Sequence, residues 1–306
     1  MKKALILVVV LLSVFIGVTI TSKEQQKTQD QAPYITVTSF ALYDIAMRLT
    51  GEEIEVKKLI PFGVEMHTFM PSVKTMSALS EAELFIFTGL GMEPWIKKAY
   101  PNQVDMSRFV KLKEACEEES EDEETHSGHH HEEEADPHYW LDIDNMKKMT
   151  EALLAELNKH FPEHKGLFEK NANTYIEELT LLDDDYKKAL AMCRHREIVV
   201  NHNAFGYLGQ QYGFGSHSVT GLSPDEQVSA KKMKEITDLV RQEQIKVVFF
   251  ESFVSPKVAE TISKETGAQA QSLQPLANVR EDEAAKGYAL LMRENLQKLV
   301  YAMECE

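Results

Sequence analysis

Hydrophobic and polar positions along the chain repeat with two different periods, and the two periods alternate. Runs of β-branched and apolar residues predict strands, and segments with apolar positions three and four residues apart predict helices. Strands that alternate with helices at this spacing are typical of βαβ units and parallel sheets. The first half predicts strands at 34–40, 54–60, 84–88 and 110–112, and helices at 40–49, 73–81, 92–99 and 144–160. The second half predicts strands at 197–201, 246–251 and 268–273, and helices at 204–212, 224–242, 256–266 and 285–303.

A long helical pattern lies between these two halves. Residues 164–195 contain no Gly or Pro after Gly166, and their apolar positions fit one helix face. A helix of this length suits a rigid connector. We therefore expect an α/β fold with two parallel-sheet lobes, 34–163 and 196–306, joined by one long rigid helix at 164–195.

The N-terminal stretch predicts export from the cytoplasm. Lys2 and Lys3 precede an apolar run, Ala4–Ile20, and a polar segment follows. We interpret 1–22 as a signal peptide and 23–33 as a linker, which places the protein in the periplasm. A retained N-terminal anchor is the alternative, because the run is long for a signal and short for a spanning helix. No Cys follows the run, so a lipid-modified Cys is not expected.

Most of the negative charge lies in one segment. The chain has a formal net charge of −16, and residues 114–136 contain acids and four His but no Lys or Arg. Such a composition predicts a disordered loop, 114–135, that binds divalent metals weakly. The absence of a basic patch argues against a nucleic-acid partner. The three cysteines, Cys116, Cys193 and Cys305, have no C-x-x-C spacing, and the sequence leaves their pairing open.

Three histidines follow predicted strands or begin loops, where ligand sites form in open α/β folds. They are His67 in GVEMHTFMPS, His138 in ADPHYWLD and His202 directly after the strand EIVVN. Imidazole nitrogen suits Zn²⁺, and three His with one more ligand form a standard tetrahedral site. A single His in such a place is more often a surface or capping residue, but three in equivalent places favour a metal site. The remaining histidines outside the acidic segment, His160, His164, His195 and His217, are interpreted as surface residues.

Several motifs together resemble the periplasmic zinc-binding proteins of ABC importers, the ZnuA-like group of solute-binding proteins. The resemblance covers about residues 34–303 and rests on GVEMHTFMPS, TGLGMEPW, DPHYWLD, VVNHNAFGYLGQQYG, VVFFESFVSP and SLQPLAN in this order, with the His-rich acidic insert before the second His. It implies that His67, His138 and His202 bind Zn²⁺ in a cleft between the lobes. It also implies delivery to the membrane permease of an ABC importer by a monomer. Manganese-binding relatives carry Glu at the place of His202.

Two departures from the family pattern leave questions open. Gln274 stands where the family has an acid, so the fourth ligand is water, Glu65, Glu251 or Gln274 itself. Glu251 is alternatively a partner that holds an imidazole N–H. Many zinc-type relatives also join a Cys near the strand before Glu251 to a C-terminal Cys. Cys305 is present here without that strand partner, so this bridge is not expected.

Capture of extracytoplasmic Zn²⁺ for import is thus the predicted function, and we expect no enzyme activity. The alternatives are a hydrolase with three His around zinc, a manganese-binding protein, or an adhesin of the same family. A hydrolase needs a general base beside a metal-bound water, for which Glu65 or Glu251 would qualify. No Ser-His-Asp set, H-E-x-x-H motif or phosphate loop supports that interpretation.

Overall fold

The computed structural model describes residues 32–113, 135–224, 228–252 and 255–306. The predicted signal peptide, most of the predicted linker and nearly all of the predicted acidic loop, including Cys116, lie outside these residues. Residues Ile35–Glu306 form one compact unit, and this unit holds both lobes. Within the described ranges, no helix combines the length and the apolarity that crossing a bilayer requires.

The first lobe is built on a four-stranded sheet with the order β2-β1-β3-β4. The central strands β1 and β3 pair in parallel, and all four residues of each are buried. Burial on both faces explains why these two strands consist almost entirely of apolar and β-branched residues. The strands are β1 (Tyr34–Val37), β2 (Glu55–Lys58), β3 (Leu84–Phe87) and β4 (Gln103–Asp105).

The second lobe repeats this arrangement with the order β6-β5-β7-β8. Strand β5 is parallel to both β6 and β7, and β7 is parallel to β8. The expectation of two parallel-sheet lobes is therefore confirmed. The strands are β5 (Glu197–Val200), β6 (Gly215–Ser218), β7 (Val247–Phe250) and β8 (Gln269–Ser272).

Helices connect these strands and cover the sheets. In chain order they are α1 (Phe40–Thr50), α2 (Val73–Ala78), α3 (Ile143–His160), α4 (Lys165–Ala189), α5 (Gly206–Tyr212), α6 (Ala230–Gln242), α7 (Lys257–Thr266), α8 (Glu281–Ala284) and α9 (Gly287–Met303). The Ser39 side chain accepts the Leu42 N–H and caps α1, which ends at Gly51 as the sequence indicates.

Helix α4 links the lobes. Its 25 residues span about 37 Å at the standard rise. Two buried tyrosines on the same face, about three turns apart, hold it to both lobes: the Tyr175 hydroxyl donates to Asp44 of α1 at 2.7 Å, and the Tyr186 hydroxyl donates to the Met292 carbonyl of α9 at 2.7 Å. These contacts anchor the connector along its length, so it acts as a rigid rod.

The predicted helix 164–195 extends too far. After Ala189 the chain turns, and residues 192–195 run beside the C-terminus, where the His195 N–H donates to the Met303 carbonyl at 3.0 Å. Cys193 and Cys305 form a disulfide at this point. Cys305 is thus bridged to a partner at the end of the connector, a pairing that the sequence had left open.

Several smaller predictions of helices and strands were also wrong. Residues 92–99 form no helix, and the three residues before them, Gly89, Leu90 and Gly91, take left-handed backbone angles. The edge strand of the first sheet is β4, not the predicted 110–112. Strand β6 was missed. Helix α6 begins at Ala230 with Ser229 as its cap, later than predicted, and residues 225–227 lie outside the described part.

Candidate metal centre

The three predicted histidines meet at one point, although they are far apart in the sequence. The Nε2 atoms of His138 and His202 are 3.3 Å apart, and one ring nitrogen of each of the three residues lies within 4.8 Å of the others. His67 and His138 come from the first lobe, and His202 follows β5 of the second. The group therefore lies where the two lobes face each other.

His138 is held by a carboxylate just before it in the chain. Asp136 Oδ1 accepts the backbone N–H of His138 at 2.9 Å and contacts its Nδ1 at 2.8 Å. The ring is fully buried and packs at 5.3 Å against Trp140. Burial lowers the pKa of His138, and its hydrogen bond to the Asp136 carboxylate opposes this shift. With Nδ1–H donated to Asp136, Nε2 keeps its lone pair for a metal.

His202 has the same kind of support from a neighbouring strand. Its Nδ1 hydrogen-bonds Glu251 Oε1, and both side chains are buried. Strands β5 and β7 are adjacent and parallel, with Val199 opposite Val248. Their carboxyl ends therefore place His202 and Glu251 side by side. Glu251 takes the role of imidazole partner, which was one of the two roles left open for it.

His67 is supported differently from the other two histidines. It lies in the loop between β2 and α2, and its backbone N–H donates to Glu65 Oε1 at 3.0 Å. Its Nε2 is buried and has no hydrogen-bond partner among the described residues. Burial, followed by the nearby His138 and His202, lowers the pKa of His67 to about 3. A buried, neutral nitrogen without a partner is what a metal would satisfy.

Gln274, where the resemblance implies an acid, is buried with 4% of its surface exposed. Its Nε2 donates to Ser252 Oγ and, at 3.2 Å, to Glu283 Oε1, and its Oε1 is buried without a partner among the described residues. Its backbone N–H and carbonyl both bond the Asn295 side chain. The sequence did not single out Glu283 or Asn295, because nothing local connects helix residues to a site in another element.

The ends of the segment 114–134 meet beside this group. The Tyr207 hydroxyl accepts the Lys113 N–H at 3.0 Å and donates to the Asp136 carbonyl at 3.1 Å. One hydroxyl thus closes the base of the segment next to the carboxylate that holds His138.

The remaining described histidines pair with carboxylates elsewhere. His160 contacts Glu83 at 3.0 Å and His217 contacts Glu197 at 2.7 Å. Longer contacts join His164 to Glu53 at 3.9 Å and His195 to Glu304 at 3.7 Å. None of the four belongs to the group of three rings, which is the only candidate cluster of metal-binding side chains in the described part of the chain.

The donor set fits a borderline divalent metal. Three imidazoles offer nitrogen without adding charge, and Asp136 and Glu251 behind two of them bring two negative charges next to the site. Such carboxylate–imidazole pairs orient metal-binding histidines and strengthen them as ligands. Zn²⁺ prefers this combination in a closed, buried site.

Comparison with known proteins agrees with this chemistry. The family profile described as ZnuA, "Zinc-uptake complex component A periplasmic", matches residues 35–302. The chain is 32% identical over 308 residues to the zinc-binding lipoprotein AdcA of Streptococcus pneumoniae serotype 4, covering 98% of this chain but only 60% of that protein. It is 33% identical over 275 residues to the high-affinity zinc uptake system protein ZnuA of Bacillus subtilis, covering 87% and 86%. The Zn(II)-bound ZnuA-like domain of S. pneumoniae AdcA superimposes with a TM-score of 0.74 at 29% identity, covering 90% and 100%.

Proposed function

Because the chain belongs to the ZnuA family of zinc-uptake components, we propose that it captures Zn²⁺ outside the cytoplasm and delivers it to the membrane permease of an ABC importer. The observation that carries this proposal is the meeting of His67, His138 and His202, whose ring nitrogens lie within 4.8 Å of one another. The three are proposed as the protein ligands of the ion. The relatives named for zinc binding and zinc uptake support the same metal.

The protonation state of the proposed ligands favours metal capture. A metal binds the neutral imidazole, and burial already favours that form for His67 and His138. The negative charges of Asp136 and Glu251 offset the charge of the incoming dication through the rings they hold. Little reorganisation is therefore needed at two of the three ligands, which favours tight binding.

The same arrangement argues against the competing functions. Three nitrogen donors favour zinc over manganese, which prefers oxygen ligands. A hydrolase would need a free general base beside a metal-bound water, but Glu251 bonds His202 Nδ1 and Glu65 bonds the His67 backbone. Members of the family are components of zinc uptake, and we propose that this chain, too, binds without turnover. An adhesin role gains no separate support from the site.

The proposed location is the periplasm or the outer face of the membrane. The predicted signal at 1–22 supports export, and the Cys193–Cys305 disulfide suits an oxidising compartment. We further propose that the protein acts as a monomer.

Metal analysis and competition titration test the proposal. Purified protein should contain one tightly held zinc, and His67→Ala, His138→Ala and His202→Ala should each weaken zinc binding strongly when measured against a chelator. His217→Ala is the matched control, because His217 pairs with Glu197 outside the group. If two of the three variants keep the affinity of the unmodified protein, the site is placed wrongly. Restored zinc uptake in cells that lack their own capture protein tests delivery.

A further inference from the structure

The three histidines differ in what holds them, and His67 lacks the support that the other two have. Carboxylates hold His138 and His202 through Nδ1, but His67 makes no ion pair with a carboxylate among the described residues. His67 also lies in a loop, and loops are more mobile than the elements they connect. Glu65 accepts only the backbone N–H of His67, so the position of this ligand depends on how the loop backbone is held.

Asn278 holds the start of that loop from the other half of the chain. Its Nδ2 donates to the Pro61 carbonyl at 2.7 Å and to the Val64 carbonyl at 2.8 Å. The second contact lies only three residues before His67. The Gly63 N–H also donates to the Val279 carbonyl at 2.9 Å. Two successive residues, Asn278 and Val279, therefore hydrogen-bond to the same turn.

The other end of the Asn278 side chain is equally engaged. Its Oδ1 accepts Lys58 Nζ at 2.7 Å and the Val279 N–H at 3.0 Å, and Lys58 Nζ also bonds the Ile60 carbonyl. An amide has two donors and one oxygen with two lone pairs, so Asn278 uses its full capacity. With 1% of its surface exposed, it has no water to replace any of these bonds.

Asn278 also belongs to the segment that carries Gln274. This segment, 274–279, leaves β8 of the second lobe and reaches the first lobe, where the Ala277 carbonyl accepts the Phe40 N–H at 3.0 Å. At its start, the Gln274 side chain bonds Ser252, next to Glu251, the partner of His202. One short segment thus contacts both the loop of His67 and the surroundings of His202.

We propose that Asn278 is the positioning residue for His67, performing for this ligand the task that Asp136 and Glu251 perform for the other two. The proposal rests on the zinc function proposed above. Asn278 does not touch the metal. It fixes the backbone of 61–64, so that His67 Nε2 faces the other two rings before the ion arrives.

The test variant is Asn278→Asp, which keeps the size of the side chain and the oxygen that accepts Lys58. It replaces the two N–H donors by an oxygen that faces the Pro61 and Val64 carbonyls. Zinc affinity should fall 10- to 100-fold, the loss typical of removing a partner that orients a metal ligand. Asn171→Asp is the matched control, because Asn171 Nδ2 donates to the Leu49 carbonyl at 3.0 Å outside the metal group, and it should leave zinc affinity unchanged.

A double-mutant cycle separates positioning from general damage to the fold. In the His67→Ala background, Asn278→Asp should weaken zinc binding no further, because the ligand it positions is already gone. Co²⁺ bound in place of zinc should show the same change in visible absorption in His67→Ala and Asn278→Asp. Asn278→Ser retains one donor without new charge, and it is the variant to use if Asn278→Asp does not fold. It should lose affinity by a smaller factor, again only when His67 is present.

The possible results distinguish failure of the proposed zinc function from failure of the positioning role of Asn278. Wild-type affinity in both Asn278 variants overturns the positioning role, and so does an equal loss in the presence and absence of His67. If the unmodified protein holds no tight zinc, the proposed function fails and this inference with it. If the protein binds zinc tightly and His67→Ala weakens it, while Asn278→Asp does not, the inference alone fails.

Discussion

Replacing the carboxylates behind the rings tests how the site balances the charge of the ion. Glu251→Gln keeps the length of the side chain and can still accept the His202 Nδ1–H, but it removes a negative charge from a buried position. A hydrogen bond to a charged group contributes about 1 kcal/mol more than one between neutral groups. That difference alone is roughly a fivefold to tenfold loss.

The loss of Coulomb attraction adds to this figure. A unit charge one imidazole ring away from a dication, about 6 Å, interacts by several kcal/mol at an effective dielectric constant of about 20, and desolvation of the carboxylate cancels much of it. We therefore expect Glu251→Gln and Asp136→Asn each to weaken zinc binding by about 10- to 100-fold. In the double variant no carboxylate remains behind His138 or His202, and the loss should be at least the product of the two.

Competition against a chelator at neutral pH measures these affinities. Glu197→Gln is the control, since Glu197 contacts the partly exposed His217 and not the metal group. Denaturant unfolding of the metal-free proteins shows whether a variant is merely less stable. Zinc affinity of Glu251→Gln within a factor of two of the unmodified protein would refute the charge-balance argument.

Three further predictions concern the scaffold and the acidic segment. Replacing Cys193 and Cys305 by Ser opens a closure of 112 residues and should lower the free energy of unfolding by up to about 4.7 kcal/mol, as guanidinium denaturation would measure. Burial lowers the pKa of Lys58 from 10.5 to about 7. Between these two pKa values the unfolded chain binds more protons than the folded chain. This group therefore makes the fold more stable as pH rises, by up to about 2 kcal/mol between about pH 7 and 9. Lys58→Met should remove this increase, measured by urea unfolding at both pH values. Deleting 117–134 should remove weak zinc equivalents and leave one tight equivalent by metal analysis.

Each of these predictions has a result that contradicts it. A loss below about 1 kcal/mol in the Cys variant would mean that the unfolded chain gains little freedom when the bridge is absent. The same pH dependence in Lys58→Met as in the unmodified protein would assign the effect to other groups. Loss of the tight zinc on deletion of 117–134 would make that segment part of the site.

The central strands were predictable because buried strands consist of apolar residues, which the sequence shows directly. The strands β3 and β7 read LFIF and VVFF, and both are almost wholly buried. The edge strands β4 and β6 read QVD and GSHS, are only half-buried and carry no hydrophobic pattern. They form because a neighbouring strand offers free backbone groups, which a single sequence does not show.

The candidate site also has parts that the sequence predicted and parts that it did not. The types and places of His67, His138 and His202 made them recognisable, because each follows a strand or begins a loop. The pairing of Cys193 with Cys305 and the grip of Asn278 on the His67 loop join residues more than 100 positions apart. No periodicity encodes such contacts, since they depend on how the lobes fold onto α4.

The closure of residues 113 and 136 at the Tyr207 hydroxyl has a consequence for how this chain can change over evolutionary time. When the two ends of an insert are held together by the fold, the entropic cost of closing the loop grows only slowly with its length. Doubling the length costs only about 0.6 kcal/mol. A change in the length or composition of the segment between these ends should therefore leave the proposed ligands beside it in place. The junction includes Asp136, whose Oδ1 lies 2.8 Å from His138 Nδ1, and it therefore gives protein engineers a place to insert a reporter domain next to a proposed metal ligand.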